Sequence, residues 1–283
     1  MQPRADGANL EIEPGERIVE RPGARIVLLA DDEALTVSHF RYGASGPQPH
    51  VHRNHADCFL LLDGTMRMRL GDDERHVEPV SWVQVPAGVV HTFAPESSEV
   101  TFLNVHAPSC GFGAYLHGRN PDFDQHEPAP GGGRDPADAV VRRLGTGEGE
   151  TITDRPGRRL TLLADTDELA ATESTYGPGE RGPDLHVHRE HTDAWFVLEG
   201  TLTLFLRDGL SFEAGPGTVV VVPPNVAHGF ANEGEETVRF VNIHAPSCGF
   251  GAYLRGEHPG FDQHDPPADG GLDSASVVVR TLG

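Results

Sequence analysis

Apolar residues in this chain come in short runs, each closed by turn-forming residues. Phe59 to Leu62, Trp82 to Val85 and Val100 to Val105 lie in the first half. Trp195 to Leu198, Thr201 to Leu206 and Val219 to Val222 lie in the second. Runs of four to six residues are strand-sized, and several of them at regular spacing between turn signals predict a sandwich or barrel. The 34 glycines and 23 prolines reinforce that reading, since they punctuate strands and interrupt long helices. One helix per half is also expected. Ser109 and Ser247 are suitable N-caps, and Gly118 and Gly256 stand where a C-terminal glycine would end the helix.

The pattern is written twice. Asn104 to Phe112 reads NVHAPSCGF and Asn242 to Phe250 reads NIHAPSCGF. The following segments, GAYLHGRNPDFDQHEP and GAYLRGEHPGFDQHDP, also match. So do VHRNHAD from Val51 and VHREHTD from Val187, and ERPGARIVLLAD with DRPGRRLTLLAD. The offset grows from 134 at Tyr42 and Tyr176 to 138 at Asn104 and Asn242. A repeat that long is a whole domain rather than a solenoid unit. The expected boundary lies near Gly145, in the polar stretch GTGEGE, with domains at 1–145 and 146–283. Each is long enough to bury its own core.

Composition narrows the function. The formal net charge of −21 repels phosphate backbones and anionic headgroups, so neither nucleic acid nor a membrane surface is an expected partner. The chain contains no lysine, which excludes Schiff-base catalysis and Walker-type phosphate binding. No apolar stretch approaches the length of a membrane span, and no secretory leader is evident. Three cysteines, Cys58, Cys110 and Cys248, fit a reducing cytoplasm better than a disulfide framework.

Candidate chemistry gathers at histidine. His50 and His52 stand two apart, so on a strand both imidazoles face one side. A turn over Arg53 to Ala56 would put Asp57 on the next strand, and His91 follows the turn Pro86-Ala87-Gly88. The second half repeats the set as His186, His188, Asp193 and His228, the last after Pro223-Pro224-Asn225. His55 and His191 fall in the turn and are expected to face solvent or to back the ligands. Asn104 and His106, like Asn242 and His244, share one strand face. Cys110 and Cys248 fall at the expected helix N-terminus, a position that lowers a thiol pKa, but packing as small residues is their expected role.

These motifs resemble those of the cupins, and specifically the two-barrel bicupins. That family's first motif is HxH, three or four residues, an acid, six residues and a glycine. Here His50 to Gly64 and His186 to Gly200 follow it with four intervening residues. The second motif, PxG, two residues, histidine, three residues and asparagine, is matched by Pro86, Gly88 and His91, with Pro95 in the asparagine place. The other copy has Pro223, Asn225, His228 and Asn232. The resemblance implies an all-β protein: two tandem double-stranded β-helix (jelly-roll) barrels, each with a short C-terminal helix. It implies one divalent metal ion per domain, held by His50, His52, Asp57 and His91 and by His186, His188, Asp193 and His228. Three imidazoles and a carboxylate suit Fe, Mn, Ni, Co, Cu or Zn. The family's acid is usually glutamate. The shorter Asp57 and Asp193 are candidates for direct ligation, for holding a metal-bound water, or for a catalytic base.

The arrangement is similar to that of quercetinase-type bicupins, which implies a dioxygenase acting on a small enol-like or aromatic molecule. A redox-neutral isomerase or decarboxylase, and a non-catalytic small-molecule-binding module, are the alternatives. Phe59, Phe93, His106, Trp195, Phe230 and His244 are candidate substrate-pocket residues. The expected protein is a cytoplasmic monomer or homodimer whose partner is a small-molecule substrate.

Overall fold

The computed structural model describes residues 12–43, 46–129, 133–269 and 271–282. The chain forms two compact units. One is Gly15–Gly149; the other begins at Glu150 and takes in the short strand Glu13–Pro14. That strand pairs in parallel with Val278–Thr281, and Arg280 bonds Glu13 at 3.1 Å.

Each unit is a jelly-roll of a large and a small sheet. In the first, the large sheet runs Val140–Arg143, Ser81–Val85, Ala56–Asp63, Val100–Ala107, Thr36–Tyr42, Ala24–Asp31 and Glu16–Arg21. The small sheet is Asp73–Val77, Met66–Leu70 and His91–Pro95. The second unit repeats this order, its large sheet centred on Thr192–Glu199 and Val238–Ala245 and its small one on Leu202–Leu206. All six expected apolar runs fall on strands, with Thr201 alone left just outside. Alternation places the core. Along Met66–Leu70 the methionines and leucine are buried and the arginines exposed. Inner strands of the large sheets are buried on both faces, as at Thr218–Val222, where Val219 to Val222 is continuously apolar.

Two local expectations are corrected. The HxH segment makes no ladder, only isolated bridges from His50 to His91 and from Val51 to His126. Pro49, which lacks an N–H, precedes it and a bend begins at Arg53, so the extended stretch is too short for more. The helices, Phe112–Leu116 and Phe250–Leu254, are capped by Gly111 and Gly249 rather than by the serines. Ser109 instead accepts from the Gly111 N–H and closes the preceding turn. Gly118 and Gly256 end the helices as expected, in the left-handed region at φ 71° and 76°.

Candidate metal centre

Strand register assembles the site. Asp57 sits opposite His106 on one side and Val85 on the other. Phe59 sits opposite Asn104, so Asp57, Phe59, Asn104 and His106 share the inward face. His50 and His91 exchange both main-chain hydrogen bonds, at 3.0 and 2.9 Å, and their rings lie 4.4 Å apart. The second unit repeats this through Asp193 opposite His244 and His186 opposite His228.

The result is two buried groups, His50–His52–Asp57–His91 and His186–His188–Asp193–His228, each able to offer four ligand atoms within 4.8 Å of one another. Every one of these histidines turns Nδ1 toward a main-chain carbonyl: Gln48, Asp124 and Val89 in the first unit, and Asp184, Asp262 and Val226 in the second. Nδ1 therefore carries the proton, and Nε2 presents a bare lone pair. Asp57 Oδ2 lies 3.1 Å from His91 Nε2 and 3.6 Å from His52 Nε2. Asp193 Oδ2 lies 3.4 Å from His228 Nε2 and 3.5 Å from His188 Nε2, and His186 Nε2 is 3.1 Å from His188 Nε2. Lone pairs facing one another at such distances repel unless a cation sits among them. The spacing suits ligands around one ion with bonds of about 2.0–2.2 Å. His52 Nε2 and His228 Nε2 are buried with no hydrogen-bond partner, which fits the same chemistry.

Burial first, then the neighbouring His91, pushes His50 down to about 4. Burial, then His228 and His188, pushes His186 down to about 3. Both are thus neutral at ordinary pH, the form that binds metal. His188 moves upward, because its contact with Asp193 outweighs burial. Burial acts to raise Asp57 and Asp193, but the surrounding imidazoles, led by His106 and His244, hold both well below the usual carboxylate range.

Behind each group runs a chain of hydrogen bonds. Asn104 Nδ2 donates to Asp57 Oδ1 and, at 3.1 Å, to the Cys58 carbonyl. His106 Nε2 donates to Asn104 Oδ1 at 2.9 Å, and His106 Nδ1 meets His55 Nε2 at 2.9 Å. His55 Nδ1 donates to Asp124 Oδ2 at 3.0 Å. Of the two places expected for His55 and His191, facing solvent or backing the first group of histidines, they take the second: both are 0% exposed, because the turn folds under the chain rather than out. His52, His55 and His106 also cluster closely enough for a metal, but His52 Nε2, which already faces Asp57 Oδ2, can serve only one ion. Phe112 stacks on His106 at 3.7 Å and Phe250 on His244 at 3.6 Å, so each short helix holds its relay in place. Asp124 and Asp262 were not singled out from sequence. The signal for them is the tetrapeptide FDQH, present in both halves.

In the first unit a cavity of about 210 Å³ ends on His50, His52, Asp57 and Asn104. Phe40, Phe59, Phe93 and Phe102 form its apolar wall, and His106 also lines it. In the second unit Trp195 and Phe230 are buried 5.6 Å apart, with Trp195 5.6 Å from His228. Position 40 there corresponds to Ser174 and position 59 to Trp195. Cys110 and Cys248 precede the helices rather than cap them. Burial, followed by Asp124, raises the Cys110 thiol, and burial, followed by Asp262 and Glu190, pushes Cys248 up to about 11. The expected lowering is absent because a five-residue helix supplies little field and both neighbours are acidic.

Among the described residues no helix is long and apolar enough to cross a membrane. A cupin domain model matches residues 36–106 and 172–244. Quercetin 2,3-dioxygenase of Bacillus subtilis (strain 168) is 24% identical over 257 aligned residues, covering 78% of this chain and 75% of that protein. Solved variants of Bacillus subtilis oxalate decarboxylase share the fold. One, 18% identical with a TM-score of 0.56, covers 85% of this chain and 78% of its own. Another, also 18% identical at 0.56, covers 87% and 80%. The matched regions span both repeats and carry both histidine–aspartate groups, and the chain accordingly belongs to the cupin family, as a bicupin with one divalent-metal site in each domain.

Proposed function

We propose that the protein is a metal-dependent dioxygenase acting on a small enol-like or aromatic molecule, with His50, His52, Asp57 and His91 and their counterparts His186, His188, Asp193 and His228 as the metal ligands. The observation that carries this reading is the aromatic cavity ending on the first histidine–aspartate group. When bound, a divalent ion with open positions supplies Lewis acidity and a route for electrons between an enolate and dioxygen. The chain's own residues do the rest. Phe40, Phe59, Phe93 and Phe102 exclude water and stack against a flat substrate. Asp57 Oδ2, beside the imidazoles, takes the proton of the substrate hydroxyl. Asn104 holds the other carboxylate oxygen, so Oδ2 keeps its direction. The sequence relationship to quercetin 2,3-dioxygenase supports the same reaction class. The three free thiols support a cytoplasmic setting, and nothing in this reading needs more than a monomer or homodimer.

The test is oxygen uptake by metal-reconstituted protein supplied with flavonols and with simpler enols. Uptake matched to substrate loss is expected. Turnover without oxygen would make the protein a redox-neutral isomerase or decarboxylase on the same site. Binding without turnover, under every metal tried, would make it a binding module.

A further inference from the structure

Both metal groups rest on a residue outside the barrel strands. Asp124 lies in the strap that follows the helix and is 8% exposed. Its carboxylate accepts from the N–H of Arg53 at 3.0 and 3.1 Å and from the N–H of Asn54 at 2.7 Å. It also accepts from His55 Nδ1 at 3.0 Å and His126 Nε2 at 2.8 Å. Its own carbonyl accepts from His52 Nδ1. Two residues on, His126 and Val51 exchange main-chain bonds, both at 3.0 Å, which pins the middle of the HxH. Asp262 repeats this in the second unit. It accepts from Arg189, Glu190, His191 and His264, with distances of 2.7 to 3.0 Å, and from His188 through its carbonyl.

One residue therefore grips each centre at two points. Its carbonyl orients the second histidine of the HxH. Its carboxylate fixes the His55 ring, which abuts His106, and His106 Nε2 donates to Asn104, which holds the far oxygen of Asp57. The second unit runs the same line through His191, His244 and Asn242 to Asp193. No apolar packing requires a carboxylate here. A buried acid that accepts from two main-chain N–H groups and an imidazole is costly unless every bond is made.

We propose that Asp124 and Asp262 are the positioning residues of the two metal centres, each setting the direction of one imidazole ligand and one carboxylate ligand at once. The inference rests on the ligand assignment above. Outer hydrogen-bond partners of this kind tune affinity at metal sites, and here the outer partner is shared by two ligands.

The experiment titrates Co²⁺ into metal-free protein and reads the visible absorption of each site. Wild-type protein should take two ions. Asp124→Asn keeps the volume but turns an acceptor into a donor toward Arg53, Asn54 and His55. It should weaken one site by about 10-fold to 100-fold and change that site's absorption, leaving the other as in wild type. Asp262→Asn should do the reverse. A purely structural role would lower the unfolding midpoint without moving the absorption of bound Co²⁺. If Asp124→Asn fails to fold, His55→Gln serves instead, since it cuts the relay but spares the carboxylate's main-chain bonds, and the first site's absorption should again shift. Two ions at wild-type affinity with wild-type absorption in the folded variants overturns the proposal. Failure of the wild type to bind Co²⁺ overturns the ligand assignment itself, and the inference falls with it.

Discussion

At the residue scale the aspartate decides most. A side chain one methylene shorter than the usual glutamate leaves open whether it reaches the metal. Asp57 Oδ2 reaches the imidazole nitrogens because Asn104 draws Oδ1 the other way. In the proposed ligand role it brings negative charge to an ion otherwise held by neutral imidazoles. Asp57→Asn and Asp193→Asn should each lower metal affinity of their own site by about 10-fold to 100-fold, with turnover falling alongside metal content. Elemental analysis and activity measured on the same preparations check this. Full metal with no turnover would assign the carboxylate to proton transfer alone. Full metal and full activity in the double variant would leave a three-histidine site.

At the scale of elements, the short helix is fitted to its strand by a missing side chain. A Cβ on Gly113 would lie 2.1 Å from Asp31 Oδ2, and one on Gly251 would lie 1.9 Å from Asp165 Oδ2. Asp31 is not free to retreat, since Oδ1 accepts from Thr36 Oγ1 at 2.7 Å. Helix propensity alone favours alanine by about 1 kcal/mol, so two effects oppose. The clash wins, because overpacking of this kind costs about 1–3 kcal/mol and the five-residue helix cannot shift without moving Phe112 off His106. Gly113→Ala should therefore lower the urea midpoint of unfolding. A midpoint unchanged or raised would mean that the helix is not held to Asp31 as described.

For the whole molecule, duplication makes a stoichiometric statement. Each unit carries its own core and its own histidine–aspartate group. Metal-loaded protein should contain two divalent ions per chain, measured by elemental analysis after removal of loosely bound metal. Replacing His50 and His52 by alanine should remove one, and replacing His186 and His188 the other, each without emptying the remaining site. A stoichiometry near zero in fully loaded wild-type protein would remove the assignment of both groups.

What the sequence determined by itself is everything carried by local spacing. Two-residue spacing put His50 beside His52, and the turn residues before His91 and His228 fixed where those strands begin. Strand-length apolar runs announced the barrels, and the repeated NVHAPSCGF segment announced that there are two. Glycine at 118 and 256 marked the helix ends, because only a residue tolerant of positive φ stands there. Tertiary structure decided what depends on partners far along the chain. Asp124 meets His55 across 69 positions and His52 across 72, a separation that no local pattern encodes. His55 reads as a turn residue until that contact buries it. Ser109 reads as an N-cap until Gly111 takes the left-handed conformation ahead of the helix. The cavity at the first metal group depends on which aromatic rings face inward together, and Phe40 and Phe102 stack 5.2 Å apart only once their strands pair.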